Sequence, residues 1–333
     1  MEIELFPESV RRARRIFLER GEFPALPLAE PILHSWQRCR EQRVPAERLL
    51  PPDEGIVETP ILEQARESVE EWIQLSRPVL ESVFGGFDES RSVLIIADTQ
   101  GLIVEALGDS SFLDRAQRVH LTRGALWHER IRGTNAVGTA IAEKAPIEVL
   151  GPEHYLSCNE FLACTAAPVF DGTGRLALVL DVSCDWHDHH PHTKALVATA
   201  ARLIENHAIV SRHRGLRVHL HRDPWALGGF VDDAILCVAE DGRIMAANTA
   251  ARRLLCLQTQ DLGTRTLEEL LRPAARGVRG DGPVCLHDTR GRPLYARFEG
   301  RQARVMMRSP TPKDKNDALA QLDTGDARLH ETV

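Results

Sequence analysis

A run of imidazole side chains at residues 187–192 is the clearest candidate for metal chemistry. His187-Asp188-His189-His190-Pro191-His192 places four histidines and one aspartate within six residues. Imidazole and carboxylate groups are ordinary ligands of zinc and iron. Adjacent residues point in different directions, however, and Pro191 with His192 fits the start of a helix. The sequence therefore predicts no metal site here, and it predicts no cofactor.

Seven cysteines could carry thiol chemistry. They are scattered and include no C-x-x-C pair, so neither a disulfide framework nor a zinc ribbon is indicated: Cys39, Cys158, Cys164, Cys184, Cys237, Cys256 and Cys285. No cluster of positive charge near Cys158, Cys164 or Cys184 would lower a thiol pKa. Buried, inert thiols are the simpler interpretation. A thiol reductase at these three cysteines, or a metal enzyme at residues 187–192, is the alternative function.

Common nucleotide and hydrolase motifs are absent from the sequence. Only four lysines occur and none follows a glycine, so there is no G-x-x-x-x-G-K-[ST] phosphate loop. The sequence also contains no G-x-S-x-G and no H-E-x-x-H. These absences exclude a self-contained nucleotide hydrolase, and the sequence predicts no catalytic residue.

Two neighbouring segments have the residue types that a small polar ligand needs. Trp127, His128 and Glu129 combine an aromatic wall with titratable groups, and Thr134 and Asn135 begin a predicted helix. Binding pockets are mostly apolar with a few fixed polar groups, and the free amides at a helix start suit a hydroxyl or carbonyl. Alternatively, Trp127 belongs to the core, and Thr134 or Asn135 only caps its own helix.

Further candidates flank or enter predicted core strands: His154, Tyr155, Phe161, Cys164, Thr165 and Asp181. The Tyr155 hydroxyl could bond an effector. Asp181 ends an apolar strand, where a buried carboxylate requires a partner. That partner could equally be a neighbouring backbone turn. Together with the two segments above, these residues form the predicted effector-binding set.

The elements that would position these residues differ in hydrophobic period along the chain. Residues 1–58 predict an N-terminal helical segment, and apolar residues at helical spacing continue over 60–84. Residues 59–210 predict one domain that also contains the start of a connecting helix. Its strands and helices are predicted over residues 93–97, 102–104, 112–119, 134–144, 161–170 and 176–182.

A second, smaller domain is predicted over residues 228–308. A connecting helix from His192 to about Arg222 leads into it, with residues 211–227 as the linking portion. Hairpins are predicted over residues 235–247 and 283–298, Asn248 is a natural helix cap, and residues 304–307 are a possible last strand. Residues 309–333 are polar and predict a linker.

Both predicted domains open with strand, turn, strand and helix, and both end in antiparallel hairpins. This order predicts an α+β fold with helices on one side of each antiparallel sheet and a cavity between the two layers. Residues 176–180 are apolar at every position, which is typical of a strand covered on both faces. Two such domains joined by a long helix suggest a sensor rather than a catalyst.

The overall charge argues against binding to nucleic acid across the whole surface. The 333 residues carry a formal charge of −7, whereas such binders are normally basic. No stretch free of charged residues exceeds 10 residues, which is too short to span a membrane, and residues 1–15 lack the apolar region of a secretory signal. We therefore expect a cytoplasmic protein without membrane contact.

Several motifs follow one another in a fixed order: Ser35-Trp36-Gln37-Arg38-Cys39, then residues 124–129, 133–140, 151–156 and 164–171, and finally residues 189–193 running into 200–206. In this order they resemble transcriptional activators of sigma-54 RNA polymerase of the acetoin-catabolism-regulator type. The resemblance covers residues 8–210.

The resemblance implies a GAF domain at about residues 60–210 and, on more generic signals, a PAS-like second domain. It also implies an AAA+ ATPase beyond the linker, so that ATP hydrolysis, polymerase and DNA concern a part outside this chain. The implied function is to sense a small organic effector, an alcohol, ketone or aldehyde, within a homodimer. The other alternative is a ligand-free dimerisation scaffold.

Overall fold

The computed structural model of the chain describes residues 2–23, 28–47, 54–85, 91–108, 112, 116–227, 231–273 and 283–300. Helices at the N-terminus precede two antiparallel sheets, and each sheet has helices packed on it. These first helices are α1 (Glu2–Arg20), α2 (Glu30–Glu41) and α3 (Thr59–Phe84). Pro31 and Pro60 lie in the first turns of α2 and α3, where a missing N–H group leaves no helical bond unmade. The predicted α+β class with two antiparallel sheets is confirmed.

The first sheet has the strand order β2-β1-β5-β4-β3, and all neighbouring strands run antiparallel. Its strands are β1 (Ser92–Ala97), β2 (Ile103–Gly108), β3 (Ile147–Leu150), β4 (Leu162–Phe170) and β5 (Leu176–Asp185). Helices α4 (Glu129–Arg132) and α5 (Ala136–Glu143) lie between β2 and β3 in the chain, and α6 (Thr193–Arg212) follows β5. The predicted hairpin of β4 and β5 is thereby confirmed.

The side chains of the first sheet enter two separate cores, because neighbouring residues of a strand point to opposite faces. One face, here called face A, carries Ile95, Cys164 and Val179 and is covered by α1, α2 and α5. The other, face B, carries Ile96 and Leu180 and is covered by α3 and α6. Strand β5 is therefore buried on both sides, as its uninterrupted apolar run predicts.

Helices cover both sides of this sheet, so the prediction of helices on one side only is wrong for the first unit. The reason is that the N-terminal helices do not stand apart from it. Phe17 of α1 and Ile32 and Trp36 of α2 are almost fully buried in the core of face A. Burying such large side chains stabilises the fold by about 1.5–3 kcal/mol each.

The second sheet has the order β8-β7-β6-β11-β10-β9. Its strands are β6 (Leu216–His221), β7 (Ala234–Val238), β8 (Ile244–Ala247), β9 (Leu271–Pro273), β10 (Val284–Asp288) and β11 (Pro293–Glu299), with helices α7 (Thr249–Leu255) and α8 (Leu267–Leu270). Both predicted hairpins are present. Asn248 caps α7 as predicted, because its Oδ1 accepts a hydrogen bond of 2.8 Å from the Ala251 N–H.

The connecting helix is shorter than predicted. It ends at Arg212, and residues 216–221, predicted as helix and linker, form β6 inside the second sheet. Leu216, Val218 and Leu220 alternate with polar residues and enter the core of this sheet. Apolar residues at every second position are typical of a strand. The helical pattern that precedes them led to the prediction that the helix continues.

Some predicted elements fall wholly or partly outside the described residues: the strand at 304–307, the linker at 309–333 and part of the helix near 112–119. None of the helices in the described ranges is long and apolar enough to cross a membrane.

Candidate functional site

The buried carboxylate of Glu129 anchors helix α2 to the first unit. It accepts hydrogen bonds from Ser35 Oγ (2.6 Å), from Arg38 Nε (2.7 Å) and Nη2 (2.9 Å), and from Thr139 Oγ1 (2.8 Å). The Thr134 hydroxyl lies 2.8 Å from Ser35 Oγ. These bonds compensate the desolvation of Glu129, which is only 3% exposed. Glu129 and Thr134 were predicted to contact an effector, but in the structure their side chains form hydrogen bonds with α2.

The remaining residues of the S-W-x-R-C segment complete this contact. Trp36 is fully buried, and its indole Nε1 donates a hydrogen bond of 2.8 Å to the Glu153 carbonyl. Cys39 Sγ lies 3.7 Å from Thr134 Oγ1, and burial raises the pKa of this thiol to about 12. The motif is therefore a docking motif, in which each of its named side chains contacts the sheet unit or fills its core.

Helix α1 closes the same side with two arginines. Arg14 is buried; its Nη1 donates to the His154 carbonyl at 2.9 Å, and its Nη2 contacts Glu160. Arg11 Nε donates to the same Glu160 carboxylate at 2.8 Å. Together α1 and α2 cover the segment between β3 and β4 that carries His154 and Tyr155.

The start of α5 uses its polar groups locally. Asn135 Oδ1 accepts from the Gly138 N–H, and its Nδ2 donates to the Gly133 carbonyl, both at 2.8 Å. His128 caps α4 in the same way, accepting at Nδ1 from the Arg130 N–H at 3.2 Å. Gly133 has a φ of +63°, and a Cβ there would lie 2.6 Å from Tyr155 Cβ, so only glycine fits.

The predicted aromatic residues do come together on face A. Trp127, Tyr155 and Cys164 are buried in its core, and Phe161 packs against that core. The Trp127 indole Nε1 is satisfied by the His120 carbonyl at 2.9 Å. This core supplies the apolar wall that a small ligand requires.

Asp181 brings a carboxylate into the same core. It is 1% exposed and lies on face A, because it pairs with Ile95 and Ala166 across the sheet. Its Oδ2 accepts a hydrogen bond of 2.6 Å from Ser183 Oγ, but its Oδ1 has no hydrogen-bond partner among the described residues. Burial raises the pKa of Asp181 to about 7, and the hydrogen bond from Ser183 opposes that shift.

His154 also has an unmatched polar atom. Its Nδ1 donates to the Gly151 carbonyl at 2.9 Å, which leaves Nε2 as an acceptor without a partner in the described part of the chain. Complete burial lowers the pKa of His154 to about 4, so the ring is neutral near pH 7.

Thr165 does not share this core. It pairs with Val182, which belongs to face B, whereas Cys164 pairs with Ser183 on face A. Neighbouring strand residues cannot line the same pocket, so the structure separates Thr165 from Cys164 and Asp181.

Some open pockets lined by described residues lie elsewhere. One of about 440 Å³ lies between α3 and the edge of β1 and β2, and one of about 470 Å³ lies between α3 and α6. The third borders the second sheet. None of the predicted effector residues lines any of these three pockets.

Geometry gives little support to thiol chemistry. Burial raises the pKa of Cys158 and Cys164, and that of Cys184 to about 12, which opposes formation of a reactive thiolate. Cys164 and Cys184 also point to opposite faces of the first sheet.

The histidine run makes local contacts instead of a ligand cluster. His187 Nδ1 lies 2.8 Å from Asp185, and His189 Nε2 lies 3.4 Å from Glu148. Among the described residues, no three His, Cys, Asp or Glu side chains are placed to hold a metal ion.

Ser35, Arg38 and Ser183 also belong to this region, although the sequence alone did not predict them as site residues. Ser35 and Arg38 were visible only as part of a motif, and nothing in their spacing indicates that Glu129, more than 90 residues away, is their partner. Ser183 had a usable signal, because it lies two residues after Asp181 and therefore on the same face of the strand.

The family model described as the MimR N-terminal domain matches residues 6–206 of this chain. The chain belongs to this family. The matched range begins in α1 and ends in α6, so the docked N-terminal helices are part of the family's domain together with the first sheet.

Two relatives within the curated proteins are regulators of acetoin genes. The acetoin dehydrogenase operon transcriptional activator AcoR of Bacillus subtilis is 29% identical over 61% of this chain and 33% of its own length. The acetoin catabolism regulatory protein of Cupriavidus necator is 30% identical over 70% of this chain and 36% of its own. The chain thus spans about a third of the length of these transcriptional regulators.

One solved structure shares the fold over most of the chain. It is the DhaR(N)–DhaL complex of Escherichia coli, with a TM-score of 0.50 and 18% identity. The match covers 81% of this chain and 99% of the other. At this identity the likeness concerns the fold alone.

Replacing Arg38 by glutamine should loosen α2 from the first unit. The Arg38→Gln variant leaves the buried Glu129 charge with fewer partners, and we expect a loss on the order of 3 kcal/mol in the free energy of unfolding. Urea unfolding measures this loss. Arg123→Gln is the matched control, because Arg123 lies 3.8 Å from Glu63 in an exposed pair and should cost less than about 1 kcal/mol. Equal losses in both variants would contradict the docking role of Arg38.

The Asp181 carboxyl should make stability depend on pH. Its pKa is about 7 in the fold against 3.8 ordinarily, so it favours folding while protonated and loses this contribution as the pH rises toward 7. The full difference is on the order of 4 kcal/mol.

The isosteric Asp181→Asn variant cannot ionise at this position. The free energy of unfolding of the variant minus that of the wild type should therefore be larger at about pH 8 than at about pH 5. Urea unfolding of both proteins at both pH values measures the change, and comparing the two proteins cancels the titration of all other groups. A difference between them that does not vary with pH would show that Asp181 is not desolvated.

Proposed function

We propose that this chain is the sensory region of a transcriptional activator and binds a small organic effector in the core of face A. The observation that carries the proposal is the unpartnered Oδ1 of Asp181, which lies among the apolar side chains of face A. A buried acceptor without a partner costs about 1–3 kcal/mol, and an effector hydroxyl would remove that cost.

The chemistry of this core favours a neutral effector. Trp127, Tyr155 and Cys164 offer apolar contact, while the ionised form of Asp181 offers one strong acceptor. This combination suits a small alcohol or hydroxyketone, and aldehydes or ketones would bind less well unless hydrated. The two relatives named for acetoin, a hydroxyketone, support this class.

Binding at face A would reach the second unit through Glu205 of α6. This carboxylate is 4% exposed and joins both units: Oε1 accepts from the Phe170 N–H at the end of β4 (3.0 Å) and from Thr249 Oγ1 (3.1 Å), and Oε2 accepts from the Thr249 N–H (3.2 Å). Thr249 begins α7.

The next residue of α6 makes a second bridge. Asn206 Oδ1 accepts a hydrogen bond of 2.7 Å from Asn248 Nδ2, and Asn248 is the cap of α7. A displacement of β4 or α6 would thus change the contacts that hold the start of α7. We infer that α6 transmits the effector signal to the second, PAS-like unit.

The wider function rests on the longer relatives. An AAA+ ATPase that acts on sigma-54 polymerase and DNA would follow the second unit in the complete activator. Leu196 and Val210 are large apolar side chains exposed on α6, and they support the proposed homodimer. A protein partner is a second proposal, supported by the structure of similar fold in which DhaR is in complex with DhaL.

Small effectors should stabilise the chain against heat. We expect acetoin or propan-2-ol, and more weakly acetone or propanal, to raise the melting temperature; a site filled at 100 times its dissociation constant gains about 2.7 kcal/mol. Asp181→Leu, which removes the acceptor, should abolish the shift. Thr165→Val is the matched control, because Thr165 lies one residue from Cys164 on the opposite face.

No shift with any of these compounds would favour the scaffold interpretation. A shift that survives in Asp181→Leu would show that the effector binds elsewhere.

Removing the Glu205 charge should loosen α7. In Glu205→Gln the amide nitrogen must face one of the donors at Phe170 or Thr249, and we expect the protection of the α7 amides to fall by about 1–3 kcal/mol. Hydrogen exchange with and without acetoin measures this protection. Glu268→Gln, on the exposed side of α8, is the matched control and should leave the protection of the α7 amides unchanged, with or without acetoin. Unchanged protection of α7 in Glu205→Gln would contradict the proposed route.

A further inference from the structure

The third of the pockets described above lies in the second unit, at the end of β6. It has a volume of about 410 Å³ and opens between the sheet and helix α7. Ligand sites in proteins commonly have about 300–1,000 Å³. The pocket is separate from the core of face A and shares no residue with it.

The floor of this pocket is apolar. Leu220 and Ala234 come from the neighbouring strands β6 and β7, and Ala250 and Leu254 come from one side of α7. Leu220 and Ala234 belong to the core of the second unit, so the pocket is an open end of that core. An apolar group placed here would extend the core.

The rim is basic. Arg222 and Arg253 line it, with the His221 imidazole beside them. Within the described ranges, neither arginine has a carboxylate within ion-pair distance. Arginine guanidinium groups bind carboxylates through paired hydrogen bonds, and two of them without such a partner leave the rim positively charged.

Two acidic groups face this region, and both are already engaged. Asp232 lines the pocket and forms an ion pair with Arg202 of α6. The charge of Arg253 also acts on Glu205, which is buried and hydrogen bonded to Phe170 and Thr249. Neither carboxylate neutralises both arginines, so the rim retains a net positive charge.

We propose that this pocket binds a small carboxylate with an apolar body. The body would occupy the floor formed by Leu220, Ala234, Ala250 and Leu254, and the carboxylate would bind Arg222 and Arg253 at the rim. One charged end and one apolar end match the two parts of the pocket, whereas a phosphate would leave the floor empty. The proposal does not depend on an effector at face A.

Benzoate and hexanoate are suitable probes, with benzyl alcohol and hexan-1-ol as neutral counterparts of similar shape. Titration calorimetry and thermal shift on the full chain should show binding of the carboxylates, with the alcohols at least tenfold weaker at this pocket. Arg222→Gln and Arg253→Gln should each weaken carboxylate binding about tenfold, as expected for the loss of one charged hydrogen bond. Arg290→Gln, on the exposed turn between β10 and β11, is the matched control and should bind as the wild type does.

The outcome is separable from binding at face A. Asp181→Asn should leave carboxylate binding unchanged, which would assign the binding to the second unit. The proposal is overturned if neither carboxylate binds the wild type. It is also overturned if the neutral alcohols bind the wild type as tightly as the carboxylates do and bind both arginine variants with the same affinity. A third contrary result would be that Arg290→Gln weakens carboxylate binding as much as the rim variants do.

Discussion

The buried charge of Glu129 sets the arrangement of the N-terminal half of the molecule. A carboxylate placed in a protein core must be paired or it destabilises the fold. Glu129 obtains its partners from α2, through Ser35 and Arg38, and from Thr139 of α5. Helix α2 therefore cannot leave the sheet without exposing an unpaired charge. With α2 fixed, Trp36 enters the core of face A and α1 packs beside it.

This docking gives the first sheet two covered faces with different properties. Face B is an ordinary apolar core against α3 and α6. Face A contains, in addition, buried polar atoms without partners at Asp181 and His154. Native proteins pair nearly all such atoms, and the effector that we propose would pair the one at Asp181.

The two units are joined by hydrogen bonds at one end of α7. The start of this helix depends on Asn248 within its own unit, and on Glu205 and Asn206 from α6. Glu205 also accepts a hydrogen bond from the last residue of β4, so the same side chain contacts both the first sheet and the second unit. The basic pocket is also lined by side chains of α7, so two ligand sites would act on one short helix.

The sequence by itself determined the α+β class, the hairpins and the family, because strand alternation, Asp-Gly turns and ordered motifs are local signals. It also identified Asp181 as a carboxylate in need of a partner. Only the tertiary structure showed that Glu129 and Thr134 are bound by α2, that Thr165 faces away from Cys164, and that residues 216–221 form a strand. The physical reason is that packing decides which distant residues meet and which sheet face a side chain enters. Such contacts produce no periodic pattern in the sequence around either residue.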